Sequence, residues 1–188
     1  MNQKEPLLSH HQTELLELLE TSGPKLMALL TRLTLREDVA EELMQDLFLK
    51  LSGNRNLTEV DCLYAYARRA AINLAFSWRR REALRRSRSL DEIPERASDN
   101  HAPLSRLVQS EEMEQILAVI GRLGGTSREA FVMRYIQQDS YEAIAEQLDK
   151  TPHQVRALCF RAMKHLRATL GCSDSPTAGK GAQRVEHE

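Results

Sequence analysis

Residues 140–167 read SYEAIAEQLDKTPHQVRALCFRAMKHLR, two short helical patterns divided by about one tight turn. Thr151-Pro152-His153-Gln154 has capping-box spacing with proline at the first helical position, where its missing N–H costs nothing. In the first pattern Ile144 and Leu148 are placed to meet Val155, Cys159, Ala162 and Leu166 of the second. The second set is spaced four, three and four residues apart, so one apolar seam joins the pair. Two readings of the pair stay open. In an αα-hairpin the charged outer face simply meets water. In a helix–turn–helix the first helix braces the second, whose outer face enters a DNA major groove roughly one helix wide. On that reading Thr151, His153, Gln154 and Arg156 stand at the entering end with Tyr141 behind them. Arg161, Lys164 and Arg167 lie further along, where phosphates would pass.

Working outward from this pair, Thr126-Ser-Arg-Glu129 and Asp139-Ser-Tyr-Glu142 repeat the capping-box spacing. Four helices are expected near 106–121, 127–136, 140–148 and 152–170. The tail from 171 to 188 is rich in small and polar residues and is expected to be disordered. Upstream, residues 87–105 contain two prolines and no sustained periodicity, as a linker between two modules would. Fully extended, that segment spans at most roughly 60 Å.

The first module, 1–86, is helical in pattern almost throughout. Gly23-Pro24 is expected to start a helix, and Thr34-Leu-Arg-Glu37 to cap the next, from about Arg36 to Leu51. There Val39, Leu43, Leu47 and Leu51 form one stripe, widened by Ala40, Met44 and Phe48. Glu37, Asp38, Glu41, Glu42 and Asp46 crowd the opposite side, either as a solvated surface or as a docking face for a basic partner. After Ser52-Gly53-Asn54 a longer helix is expected from about Val60 to Arg86. Its segment AYARRAAINLAFSWRRREALRRSR, residues 65–88, carries eight arginines against one acid, Glu82. Tyr64, Tyr66, Phe76 and Trp78 interleave with them. Exposed bases of a single strand stack on such rings, although a packed core and a solvated helix end would give the same pattern.

Lys+Arg 26 against Asp+Glu 27 leaves a formal net charge of −1, so nucleic-acid binding must rest on local patches. Three cysteines, Cys62, Cys159 and Cys172, form no CxxC pair and argue against a disulfide framework. Cys159 reads as a small core residue. No long apolar run suggests a membrane span, and a cytoplasmic protein is expected. Scattered histidines, no glycine-rich phosphate loop and no paired-carboxylate motif predict no catalytic residue, metal or cofactor.

Taken together, the segments resemble one family, the bacterial RNA polymerase sigma factors of extracytoplasmic-function type, over about Leu15–Arg88 and Ser105–Leu170. The resemblance implies an all-α fold of two small helical domains, 1–86 and 106–170, on a flexible linker, the second with a helix–turn–helix. EELMQDLFLKL resembles the family's polymerase-docking segment, which gives Glu42, Gln45, Asp46, Leu47 and Phe48 that role, joined by Asp38 and Glu41 on the acidic face. NLAFSWRRR resembles the stretch that recognises and melts the minus-ten element. Asn73, Arg80 and Arg81 match it, with Tyr66, Arg69 and Trp78 beside them. LGGTSREAFVMRYIQQDSYEAIAEQLDKTPHQVRALCFRAMKHLR resembles the module that reads the minus-thirty-five element.

The implied partners are core RNA polymerase, promoter DNA and an anti-sigma factor. Several positions depart from the family pattern: Leu51-Ser52 replace a tryptophan, Ser77 an aspartate, Ala157-Leu158 a serine-arginine pair and Asp149 the turn glycine. Leu158 thereby removes a DNA contact, and aspartate is among the residues that tolerate a left-handed turn. The rival function is a stand-alone helix–turn–helix regulator that never joins polymerase. A helical adaptor without DNA function is the third.

Overall fold

The computed structural model describes residues 10–54, 62–89 and 104–171 of the 188. The expected linker, apart from its ends, and the tail beyond Gly171 lie outside them. Among the described residues the chain is all helical: α1 His10–Thr34, α2 Glu37–Ser52, α3 Leu63–Ser89, α4 Leu104–Gly121, α5 Gly125–Phe131, α6 Tyr141–Leu148 and α7 Pro152–Leu170. A π-helical turn, Val132–Ile136, extends α5.

The helices fall close to their expected bounds, but three expected starts do not. Helix α1 runs straight through Gly23-Pro24. A proline inside a helix costs about 3 kcal/mol. Against it, Leu15, Leu18, Leu26, Leu29, Leu30 and Leu33 are all buried along one side, each contributing about 1.5–3 kcal/mol. Continuous burial therefore outweighs the local break.

The second correction is the capping box at Thr34. Helix α1 extends to Thr34, whose hydroxyl lies 2.9 Å from the Leu30 carbonyl and 2.8 Å from that of Arg36. Leu35 turns the chain with φ of 60°, and α2 starts after Arg36 with no side-chain cap. The third is Thr126. Helix α5 begins two residues earlier, after Gly124, which frees Glu129 for a distant partner described below.

Helices α1, α2 and α3 pack together through the expected α2 stripe, Val39, Ala40, Leu43, Leu47 and Leu51. On α3, Ala67, Ala70, Ala71, Ile72, Ala75 and Phe76 are buried. Four alanines keep this helix slim, so neighbours can close on it from two sides. From Arg80 to Arg88 it is exposed apart from a half-buried Glu82.

In the second half, α6 and α7 brace each other over Ala130 and Met133. Ile144, Leu148, Val155 and Cys159 share that cluster, while Ala162 and Leu166 face the larger one with Leu117 and Val132. That larger cluster also holds the α1–α3 core. The two halves thus touch, with Gly121 so near Phe76 that an added Cβ would stand 3.3 Å from its ring.

Candidate functional site

The α6–α7 pair is built almost wholly by local chemistry. The Ser140 hydroxyl, rather than Asp139, caps α6 by accepting from the Ala143 amide at 3.1 Å. At the other end Asp149 adopts φ of 51°. Its amide donates to the Glu146 carbonyl at 3.4 Å and the Lys150 amide to Ala145 at 2.9 Å, a Schellman closure normally made by glycine. Thr151 then opens α7 with the full capping box. Its hydroxyl accepts from the Gln154 amide at 3.2 Å, and the Gln154 side-chain oxygen accepts from the Thr151 amide at 2.9 Å. Two of the candidate DNA-binding side chains, Thr151 and Gln154, are therefore occupied in shaping the helix start. Both side chains are nonetheless exposed, and the Gln154 side-chain NH2 group is not engaged by the cap.

The other candidates on this pair are better placed. His153, Arg156, Arg161 and Lys164 are exposed along α7. Tyr141 is half buried, with the Arg134 guanidinium 4.4 Å from its ring centre and that of Arg156 at 5.1 Å. Arg156 also stands 3.5 Å from Glu142, a solvated pair worth little that does not immobilise it. Sequence reading missed Phe160, which is 71 % exposed on the same helix. Nothing in the apolar spacing singles it out except its absence from the seam.

On α2, Asp38, Glu41, Glu42, Gln45 and Asp46 are all exposed and share the side away from the core. Arg36 hydrogen-bonds Asp38 and holds its carboxyl below the usual range. Leu47 is 1 % exposed, so its assignment to a docking contact is corrected to a packing role. Phe48 is half buried and, with Leu19, Met27, Met44 and Leu49, lines an open groove of about 650 Å³ beside Glu41 and Gln45. The acidic face thus borders an apolar trough. Leu49, 66 % exposed, went unnoticed in the sequence because it falls off the core stripe.

The candidate strand-binding residues of α3 divide into two groups. Arg80 and Arg81 are exposed, and Trp78 is half buried along an apolar cleft between α3 and α4. The Tyr66 hydroxyl accepts a hydrogen bond from the Asn54 side-chain Nδ2 at 3.2 Å. Arg69 and Asn73, however, are held by the second half. Arg69 Nε donates to Glu129 at 2.9 Å, and Asn73 Oδ1 accepts from Arg128 at 2.9 Å. Burial, then the nearby Arg80 charge, lowers the pKa of Arg128. Arg68, an arginine of the same basic run, is 2 % exposed and pairs with Asp139 at 2.5 Å and with Gln147.

Among the described residues no group of three or more His, Cys, Asp or Glu side chains is arranged to hold a metal ion. No helix there is long and apolar enough to cross a membrane.

The family model described as Sigma-70, region 4 matches residues 113–166, from α4 through most of α7. Residues 113–166 are thus similar to a sigma-70 region 4 domain. The resemblance read from the opening stretch holds over those residues. The region 4 match takes in Tyr141, His153, Arg156, Arg161 and Lys164, and it favours the helix–turn–helix over a plain hairpin.

Among solved structures, the sigma factor RpoE in complex with the anti-sigma factor NepR, from Bartonella quintana, is similar at 20% identity and a TM-score of 0.48. That likeness covers 86% of this chain and 99% of that one. CnrH in complex with the cytosolic domain of CnrY is similar at 21% identity and a TM-score of 0.49, covering 88% of this chain and 93% of that one. No curated protein sequence matches the chain.

Proposed function

We propose that the chain is a sigma factor of extracytoplasmic-function type, which joins core RNA polymerase and directs promoter-specific initiation. The observation that carries this reading is the region 4 segment, 113–166, whose last helix keeps Arg156, Arg161 and Lys164 in solvent. Helix α7 enters the major groove of the minus-thirty-five element, with His153 and Arg156 at the tip and Arg161 and Lys164 on phosphates. The acidic α2 face, Asp38, Glu41, Glu42, Gln45 and Asp46, meets a basic surface of polymerase. Phe48 and Leu49 supply the apolar part of that contact. Tyr66, Trp78, Arg80 and Arg81 hold the unwound minus-ten strand together with Arg69 and Asn73. The chemistry of RNA synthesis is the polymerase's, and the chain works in the cytoplasm beside it.

A chain of net charge −1 binds free promoter DNA weakly, so useful affinity comes from tethering both modules to one enzyme. The test is co-purification with core polymerase. Glu42→Lys with Asp46→Lys is expected to abolish association while duplex binding by α7 persists. A stand-alone regulator would show no association to lose, and that result would contradict the reading.

A further inference from the structure

The apolar cleft between α3 and α4 encloses about 590 Å³, within the roughly 300–1,000 Å³ of small-molecule sites. Its floor is carbon: Phe76 and Leu117, each 1 % exposed, with the half-buried Trp78 ring beside them. The inner end is clamped. Arg79 donates to the Leu33 carbonyl at 3.1 Å, to the Glu114 carbonyl at 3.3 Å and to the Glu114 carboxylate at 2.5 Å, so one guanidinium ties α1, α3 and α4 together. The walls are therefore formed before any ligand arrives, which lowers the ordering cost of binding.

The rim is cationic. Arg79 and Arg86 are compensated, the first by Glu114 and the second by Glu82 at 3.4 Å. Arg80 and Arg122 are exposed and have no carboxylate partner among the described residues; Arg80 donates to the neutral Ser77 hydroxyl at 3.0 Å. Four arginines against two glutamates leave two positive charges in excess at the mouth of an apolar cleft.

We propose that this cleft binds a small amphipathic anion, an aliphatic carboxylate. Its chain lies on Phe76, Trp78 and Leu117, where burial drives binding, and its carboxylate meets Arg80 and Arg122 in charge-assisted hydrogen bonds. A cationic amphiphile is repelled by the same rim, and a short hydrophilic anion leaves the floor wet, so both ends of the ligand are specified. The bound molecule touches α3 and α4 at once and stabilises their contact by mass action. The site stands on the cleft alone and does not depend on the sigma-factor reading.

Trp78 is the only tryptophan of the chain, so its emission reports on the cleft directly. Decanoate, kept below micelle formation, is titrated into the full chain and followed by Trp78 emission and by calorimetry. Decyltrimethylammonium tests the head group and acetate the body. Ala118→Phe places a ring in the cleft from an exposed position of α4, and Arg122→Glu reverses one rim charge. Circular dichroism melts without ligand check that both variants fold; if Ala118→Phe does not, Arg122→Glu carries the test.

The parent is expected to bind one decanoate per chain, with a saturable change in Trp78 emission and a rise in melting temperature. Ala118→Phe and Arg122→Glu should each weaken that binding about tenfold, and both control ligands should bind at least about tenfold more weakly than decanoate. No saturable binding, binding that the folded variants leave unchanged, or equal binding of the cationic amphiphile would overturn the proposal. So would decanoate binding that emerges only when residues 90–103 are replaced by a Gly-Ser repeat, since that segment would then be the occupant of the cleft.

Discussion

The guanidinium of Arg68 and the carboxylate of Asp139 meet at 2.5 Å although 71 residues separate them. Arg68 is 2 % exposed and Asp139 27 %, so removing the acid strands a buried cation with only the neutral Gln147 side chain and the Tyr64 ring beside it. Breaking a buried pair from one side costs about 3 kcal/mol, somewhat less where one partner touches water. Asp139→Ala is therefore expected to lower urea-unfolding stability by about 2 to 3 kcal/mol. Arg68→Met together with Asp139→Ala should recover most of that loss, since an apolar side chain needs no counter-charge.

Pro24 sits exposed inside a 25-residue helix. Its missing N–H removes one helical hydrogen bond while its ring stays exposed. Pro24→Ala is expected to raise stability by about 1–3 kcal/mol, the interior cost less the chain entropy proline removes from the unfolded state. A shift in the urea midpoint at constant slope would measure it.

The turn between α6 and α7 depends on a left-handed Asp149 and on the Thr151 capping box. Asp149→Gly is expected to be neutral or mildly stabilising, because glycine has no Cβ to crowd in that conformation. Asp149→Ala should cost about 1 kcal/mol. Thr151→Ala should also cost about 1 kcal/mol through the lost cap. Thermal melts of the three variants would order them Gly, then Ala at either position.

Cys62 is exposed and Cys159 buried, with the Cys159 thiol 3.6 Å from the Ala130 carbonyl. Burial pushes the Cys159 thiol above its usual value. A Cys172→Ser protein is therefore expected to take up one equivalent of a thiol reagent when native and two when unfolded. Because the folded thiol keeps its proton where the unfolded one loses it, this residue costs stability as pH climbs past the ordinary thiol range. Below that range it contributes no pH dependence.

Much of this architecture could be read from local signals. The α2 stripe, the four helices of the second half, the Thr151 capping box and the tolerance of Asp149 for a left-handed turn all follow from residues within a few positions of one another. The misjudged start at Pro24 has a long-range cause, the burial of α1 on both sides of the proline; at Thr34 the hydroxyl instead closes the end of α1, and the caps expected at Thr126 and Asp139 are displaced by one or two residues, to Gly124 and Ser140. The partners of Arg68, Arg69 and Asn73 lay beyond reach for a related reason. Their selection depends on which surfaces the two halves bring together, and no spacing rule links α3 to Glu129 or Asp139 across 60 or 71 residues. Glu129 even carried a plausible local role, as the third residue of a capping box, that its tertiary partner took over.

Arg161 and Lys164 are exposed on α7 and are assigned to phosphates. With the polymerase complex bound to duplex, Arg161→Ala or Lys164→Ala should weaken binding about equally across sequences. Each should flatten the salt dependence by about one unit of slope. An effect confined to particular base changes would instead place that residue on a base edge.

The most direct measurement is in-vitro transcription with core RNA polymerase and a library of promoter sequences. Adding the protein is expected to select a defined set of start sites sharing two short elements, and Glu42→Lys with Asp46→Lys should abolish that selection. Start sites unchanged by the protein, or selection that survives the double substitution, would contradict the account.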